Sequence, residues 1–175
     1  AVAYIEFVRG TPLMVQLMFI FYGLPMVGFT LPDISWIPNF SRFSAGIIAM
    51  SINSCAYVAE IIRSGVQAVD VGQMEAARSV GFSHSQAMRL VVLPQAIKNI
   101  LPAIGNEMIA LLKETAVAGY VAVQDLTRAG NLIRNNTYDS FNPLMLVAVV
   151  YLVLVIGMTQ LLGLLERRLR RSDKR

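Results

Sequence analysis

The stretch Leu144–Leu165, LMLVAVVYLVLVIGMTQLLGLL, runs for 22 residues without one charged side chain. About 20 apolar residues in a helix cover the hydrocarbon core of a bilayer. A helix also satisfies its backbone N–H and C=O groups internally, which lipid requires. Composition extends that reading to the whole chain. Of 175 residues, 55% are hydrophobic and only 15% charged, with mean hydropathy +0.57. Soluble domains carry about 25% charged residues. The shortfall excludes disorder, a nucleic-acid-binding arm and most soluble enzymes, and predicts an all-α membrane protein.

Three further spans are expected, at about 11–29, at 43–62 and within 99–124, the last interrupted by Glu107, Lys113 and Glu114. Between the first two lies a loop, 31–39, with Pro32, Pro38 and Trp36; an indole suits the membrane interface. A hydrophilic segment, 63–98, separates the second and third spans, and a polar loop, 125–142, the third and fourth. No repeat or linker divides the chain, so residues 1–175 read as one transmembrane domain. The first residues already read as helix, with no charged n-region or cleavage site of a signal peptide. A further helix is expected before Ala1. Cys55 and His84 each stand alone, which leaves no intrachain disulfide and no cysteine-rich or paired-histidine metal site.

Charge gives the orientation. Segment 63–98 carries Arg63, Arg78, Arg89 and Lys98, and the tail after Glu166 carries six more basic residues. The other two loops share Arg42, Arg128 and Arg134. Basic segments stay on the cytoplasmic side, so segment 63–98 and the tail are expected there, two spans apart.

Within the cytoplasmic segment, Asp70 to Pro94 reads as two short helices around a sharp turn. Asp70 with Gln73, and Ser83 with Gln86, have capping-box spacing. Gly81 is expected to end the first helix in the left-handed region, and the second helix is not expected to continue normally through Pro94. Ala76 and Ala77 present almost no side chain, which suits close approach by a partner's groove.

Glu75-Ala76-Ala77, three residues, Gly81, nine residues and then Val91-Val92-Leu93-Pro94 together resemble the EAA loop of ABC-importer permeases. The flanking strings Phe7-Val8-Arg9-Gly10-Thr11-Pro12-Leu13, Ala56-Tyr57-Val58-Ala59-Glu60-Ile61 and Gly105–Thr115 look like the polar amino-acid uptake branch. Asp70 departs from the proline often found there. The resemblance implies a type I permease bundle in a bacterial cytoplasmic (inner) membrane. It also implies docking of Glu75, Ala76, Ala77 and Gly81 to a separate ATPase that uses ATP and Mg. A second permease copy or homologue and an extracytoplasmic solute-binding protein complete such an importer, whose cargo is a polar amino acid, with the basic ones within the class. The chain itself has no Gly-x4-Gly-Lys-Ser/Thr phosphate loop and calls for no cofactor of its own.

Polar residues inside the spans mark a transport path or a protein interior, because a charge at the bilayer centre costs at least about 2.5 kcal/mol. Asn53, Tyr57 and Glu60 share a face with Gly46 on the second span; Glu107 and Glu114 share one with Ala103 and Ala110 on the third, with Lys113 to the side. Two roles stay open for each. Glu60 lines the path or pairs with Arg63; Asn53 meets cargo or bonds a neighbouring helix; Lys113 and Glu114 serve cargo or form a structural pair. Glu107 is the leading candidate for cargo contact. Two other functions fit parts of this pattern: an ion-coupled secondary carrier and a membrane anchor for a cytoplasmic partner. The docking loop opposes the first, and the intramembrane acids oppose the second.

Overall fold

A computed structural model describes residues 2–34 and 36–171. Among them the chain forms seven helices and no strand: α1 (Val2–Gly10), α2 (Leu13–Met26), α3 (Phe40–Gln67), α4 (Val71–Ser79), α5 (His84–Val121), α6 (Leu126–Thr137) and α7 (Phe141–Arg171). The side chains after Glu166 and residues 172–175, which hold the basic tail, lie outside the described residues, as do Ala1 and Ser35.

Helices α3, α5 and α7 are long and apolar enough to cross a bilayer. The first expected span, 11–29, is different. Its helix breaks at Thr11-Pro12, and α1 and α2 meet at a 99° bend. Alone, α2 is about 21 Å long at 1.5 Å per residue, short of the roughly 30 Å hydrocarbon core. Only the bent pair together has the length of a fourth crossing.

The second span lies inside the longer α3. The third belongs to a longer helix than expected, which Ser83 begins and which does not pass Pro94 as a regular α-helix. The chain continues from His84 to Val121 by widening into a π turn at Met88–Val92, where the Leu93 N–H donates to the Met88 carbonyl. Pro94 follows within two residues. The same device recurs in α2, where a π turn at Phe19–Gly23 precedes Pro25 and the Leu24 N–H donates to the Phe19 carbonyl. A proline lacks an N–H and clashes with the carbonyl four residues back; a wider turn moves that carbonyl aside.

Close helix contact is built on small residues. A Cβ at Gly65 of α3 would strike the Ile100 side chain of α5, and one at Gly105 of α5 would strike Leu162 of α7. Gly130 of α6 makes the same allowance for Val147 of α7. Without a hydrophobic drive between helices in lipid, such close approach supplies the dispersion that holds them together. The start of α7 is tied by Asp139, whose carboxylate accepts from the Phe141 N–H (3.0 Å) and the Asn142 side chain (2.6 Å). The Asn142 bonds hold the Asp139 carboxyl below its ordinary pKa.

Gly65→Val should push α3 and α5 apart and destabilise the detergent-solubilised protein by about 1–3 kcal/mol. Thermal unfolding measures this, and Ile100→Ala in the same chain should recover part of the loss. An unchanged unfolding temperature in the single variant would contradict the contact.

Candidate functional site

The loop between α3 and α5 has a defined shape. Asp70 starts α4 by accepting from the Gly72 N–H at 2.6 Å. The expected Asp70–Gln73 capping box does not form; the Gln73 side chain instead accepts from Gln95 of α5 at 3.1 Å. Helix α4 ends in a left-handed turn at Gly81 (φ +96°), where the Gly81 N–H meets the Arg78 carbonyl and the Phe82 N–H the Ala77 carbonyl. That pair of bonds is a Schellman closure. Ser83 and Gln86 then form the expected capping box at the start of α5.

Glu75, Ala76 and Gly81 are exposed on this loop, but Ala77 is turned inward at 5% exposure. The two alanines are about 100° apart around the helix, so one face cannot present both. Ala77 therefore lets α4 lie close to its own chain, and Met74 beside it packs on the Val69, Val92, Ala96 and Ile100 cluster. Around Ala76 the exposed surface is mixed: Val80 lies one turn on at 76% exposure, beside exposed Gln73, Glu75 and Ser79.

The α3 face with Gly46, Asn53, Tyr57 and Glu60 is covered by α1 and α2. Asn53, 3% exposed, donates to Gln16 Oε1 of α2 at 3.2 Å. Gln16 donates in turn to the Val8 carbonyl (2.7 Å), the Thr11 carbonyl (3.1 Å) and Thr11 Oγ1 (2.8 Å). One glutamine thus meets carbonyls released where the helix breaks between α1 and α2. Glu60 binds Arg63 through both oxygens and lies 3.8 Å from Arg9 of α1. The Arg9 guanidinium also stands over the Tyr57 ring, 5.4 Å from its centre. Of the alternatives left open, Asn53 bonds a neighbouring helix and Glu60 pairs with Arg63. Gln16 and Arg9 complete this network, and neither was marked by sequence; a glutamine in an uncharged run carries no charge signal.

On α5, Glu107 and Glu114 are half-buried on the predicted shared face and Lys113 is exposed. Among the described residues none of the three forms an ion pair or hydrogen bond through its side chain, so Lys113 and Glu114 are not the expected pair. Nor do they join Asn53, Tyr57 and Glu60 in one site. The neighbouring concavity, about 630 Å³, is instead lined by Met50, Cys55, Val58, Met108, Leu112 and Met158 between α3, α5 and α7. Met50, Met108, Met158 and Cys55 thus line an open surface there.

A bundle of apolar helices joined by a capped helical loop defines a polytopic membrane protein. Comparison with known proteins supplies the family. Residues 1–171 match the binding-protein-dependent transport system inner membrane components. The chain is 41% identical over 170 residues to the probable glutamine ABC transporter permease protein GlnM of Bacillus subtilis (strain 168), covering 97% of this chain and 74% of that one. It is 40% identical over 171 residues to the arginine transport system permease protein ArtQ of the same organism, with the same coverage. A solved structure described as an amino acid ABC transporter with histidines aligns with TM-score 0.85 and 51% identity, over 95% of this chain and 73% of that one. The MetNI methionine ABC transporter, at 21% identity and TM-score 0.73 over the same shares, shows the fold alone. The chain belongs to the binding-protein-dependent transport family. It is an integral membrane permease subunit of an ABC transporter, and ATP hydrolysis belongs to a separate subunit.

Gln16→Leu should strand the Thr11 carbonyl, leave the Val8 carbonyl only the 3.3 Å bond from the Thr11 hydroxyl, and cost about 1–3 kcal/mol. Asn53→Ala, which removes one bond to Gln16, should cost less. Thermal unfolding in detergent ranks the two variants; a Gln16→Leu protein as stable as wild type would show that the helix break is satisfied without it.

Proposed function

We propose that this chain forms the path of an ATP-driven importer for polar amino acids, with α4 and its flanking turns as the point of ATPase docking. The observation that carries this reading is the exposed Glu75–Ala76–Gly81 surface, with Val80 exposed beside it and formed caps at both ends. Ala77 contributes from behind, by allowing α4 to seat on its own bundle. The positive-inside pattern supports a cytoplasmic position for this loop, and the bent α1–α2 pair supports a fourth crossing. A second copy or a homologous permease completes the path, an extracytoplasmic solute-binding protein delivers cargo, and ATP with Mg is bound by the ATPase. The bacterial cytoplasmic membrane is the site of action.

Relatives of nearly equal identity are named for glutamine and for arginine, so overall likeness supports the amino-acid class and no single member. The network geometry favours an ammonium-bearing cargo. Arg9 and Arg63 neutralise Glu60, which leaves Glu107 and Glu114 as the half-buried acids of the spans against exposed Lys113. A carboxylate in such surroundings favours a positive partner. Glu107 is the proposed cargo contact, and Asn53, Tyr57 and Glu60 hold the helices beside it.

Gly81→Val places a β-branched side chain at φ +96° and strains the turn by about 1 kcal/mol or more. Membrane insertion should persist, while association with the ATPase subunit and ATP-dependent amino-acid uptake in reconstituted vesicles should fall. Normal association and uptake in this variant would remove the case for docking at this loop.

A further inference from the structure

The first turn of α3 and the segment joining α5 to α6 enclose a cleft of about 680 Å³, and Arg42 and Arg128 both line it, beside Asn39 and Gln124. Both arginines are half-buried. Among the described residues neither forms an ion pair, and the only side-chain bond either makes is from Arg128 to the Gly119 carbonyl at 3.4 Å. The nearest acid in sequence, Asp125, accepts from the Arg128 backbone N–H at 2.7 Å through Oδ1, and its buried Oδ2 has no hydrogen-bond partner. Two guanidiniums each offer five N–H donors in a planar fork that matches a carboxylate. Almost all of that capacity is unspent here. Like charges partly withdrawn from water in one cleft are poorly compensated until an anion enters.

Position narrows the anion's source. Arg42 stands in the first turn of α3, while the last turn leads directly to α4, about 42 Å away along a 28-residue helix. That length exceeds the hydrocarbon core, so the cleft and the ATPase-docking loop open on opposite sides of the membrane.

We propose that Arg42 and Arg128 together seat an acidic side chain of the extracytoplasmic solute-binding protein. This rests on the importer reading above. The cleft is concave and polar-rimmed, and it lies on the side from which a binding protein delivers cargo. Charge complementarity at such a contact governs docking and makes it salt-dependent.

The test uses the assembled transporter in vesicles, with equal amounts of complex after gel filtration, and its own cargo-loaded binding protein as the probe. The readout is the binding-protein concentration that gives half-maximal stimulation of ATP hydrolysis. Arg42→Glu with Arg128→Glu should raise it about tenfold or more and remove most of its salt dependence. Arg42→Lys with Arg128→Lys, which keeps the charge and loses the fork, should fall between that variant and wild type. An unchanged concentration and salt dependence in the glutamate variant overturns the docking site and leaves the importer reading standing. A shift found in phosphatidylglycerol vesicles and absent from phosphatidylcholine vesicles overturns it in favour of a lipid headgroup. A wild-type complex that its binding protein fails to stimulate overturns both.

Discussion

Hydrocarbon offers no hydrogen bonds, so each backbone group released by an irregular turn must find a partner within the protein. This constraint governs the first half of the chain. The helix breaks at Thr11-Pro12, and Gln16 reaches back to the Val8 and Thr11 carbonyls while accepting from Asn53. Thr11 adds a bond from its hydroxyl to the Phe7 carbonyl at 3.0 Å. The same residues that repair the backbone also join α1 and α2 to α3. Arg9 and Glu60 add a charged tie across the α1–α3 contact. Polar side chains in this region are therefore structural first, and their grouping on one face of α3 follows from where the broken helix lies.

The second half of the chain turns the same constraint into a connected lever. Helix α5 is continuous from the docking loop to Val121 because the π turn admits Pro94 without ending the helix. Gln95, just beyond that turn, holds Gln73 of α4, and Met74 fills the space above Val92 and Ala96. Gly65 brings α3 against Ile100 of the same helix. A displacement of α4 is thus transmitted to α5 through packed side chains and a hydrogen bond, with no flexible linker between them. A dense interior passes on such a movement because it has little room to absorb it.

Much of this was legible in the sequence, for physical reasons that differ by residue. Apolar runs marked α3, α5 and α7, and the run of α7 is free of charge, because burial in lipid leaves a compositional trace. Gly81, Ser83 and Gln86 marked the docking turns because caps and left-handed residues have local chemistry. Pro94 announced an irregularity but not its form, because helix contacts on both sides favour a widened turn over a stop. Ala77 was assigned a partner-facing place with Ala76, yet a step of about 100° turns it to the interior. The structural roles of Gln16 and Arg9 were not read because they depend on a 99° bend that no short pattern announces. Glu60 and Asn53 were visible as polar residues on one face, but only the packed neighbours decide between a path and an interior. Lys113 and Glu114 were left between cargo contact and a structural pair, and among the described residues they form no ion pair, since neighbours in a helix point apart.

The central claim is that the exposed face of α4 meets the ATPase subunit. Ala76→Cys, on that face, should form a disulfide cross-link with a cysteine placed in the ATPase docking cleft, and its yield should change when ATP is bound. Leu154→Cys, exposed near the middle of α7, should give none. Cross-linking absent from Ala76→Cys in a complex that still transports would contradict the account.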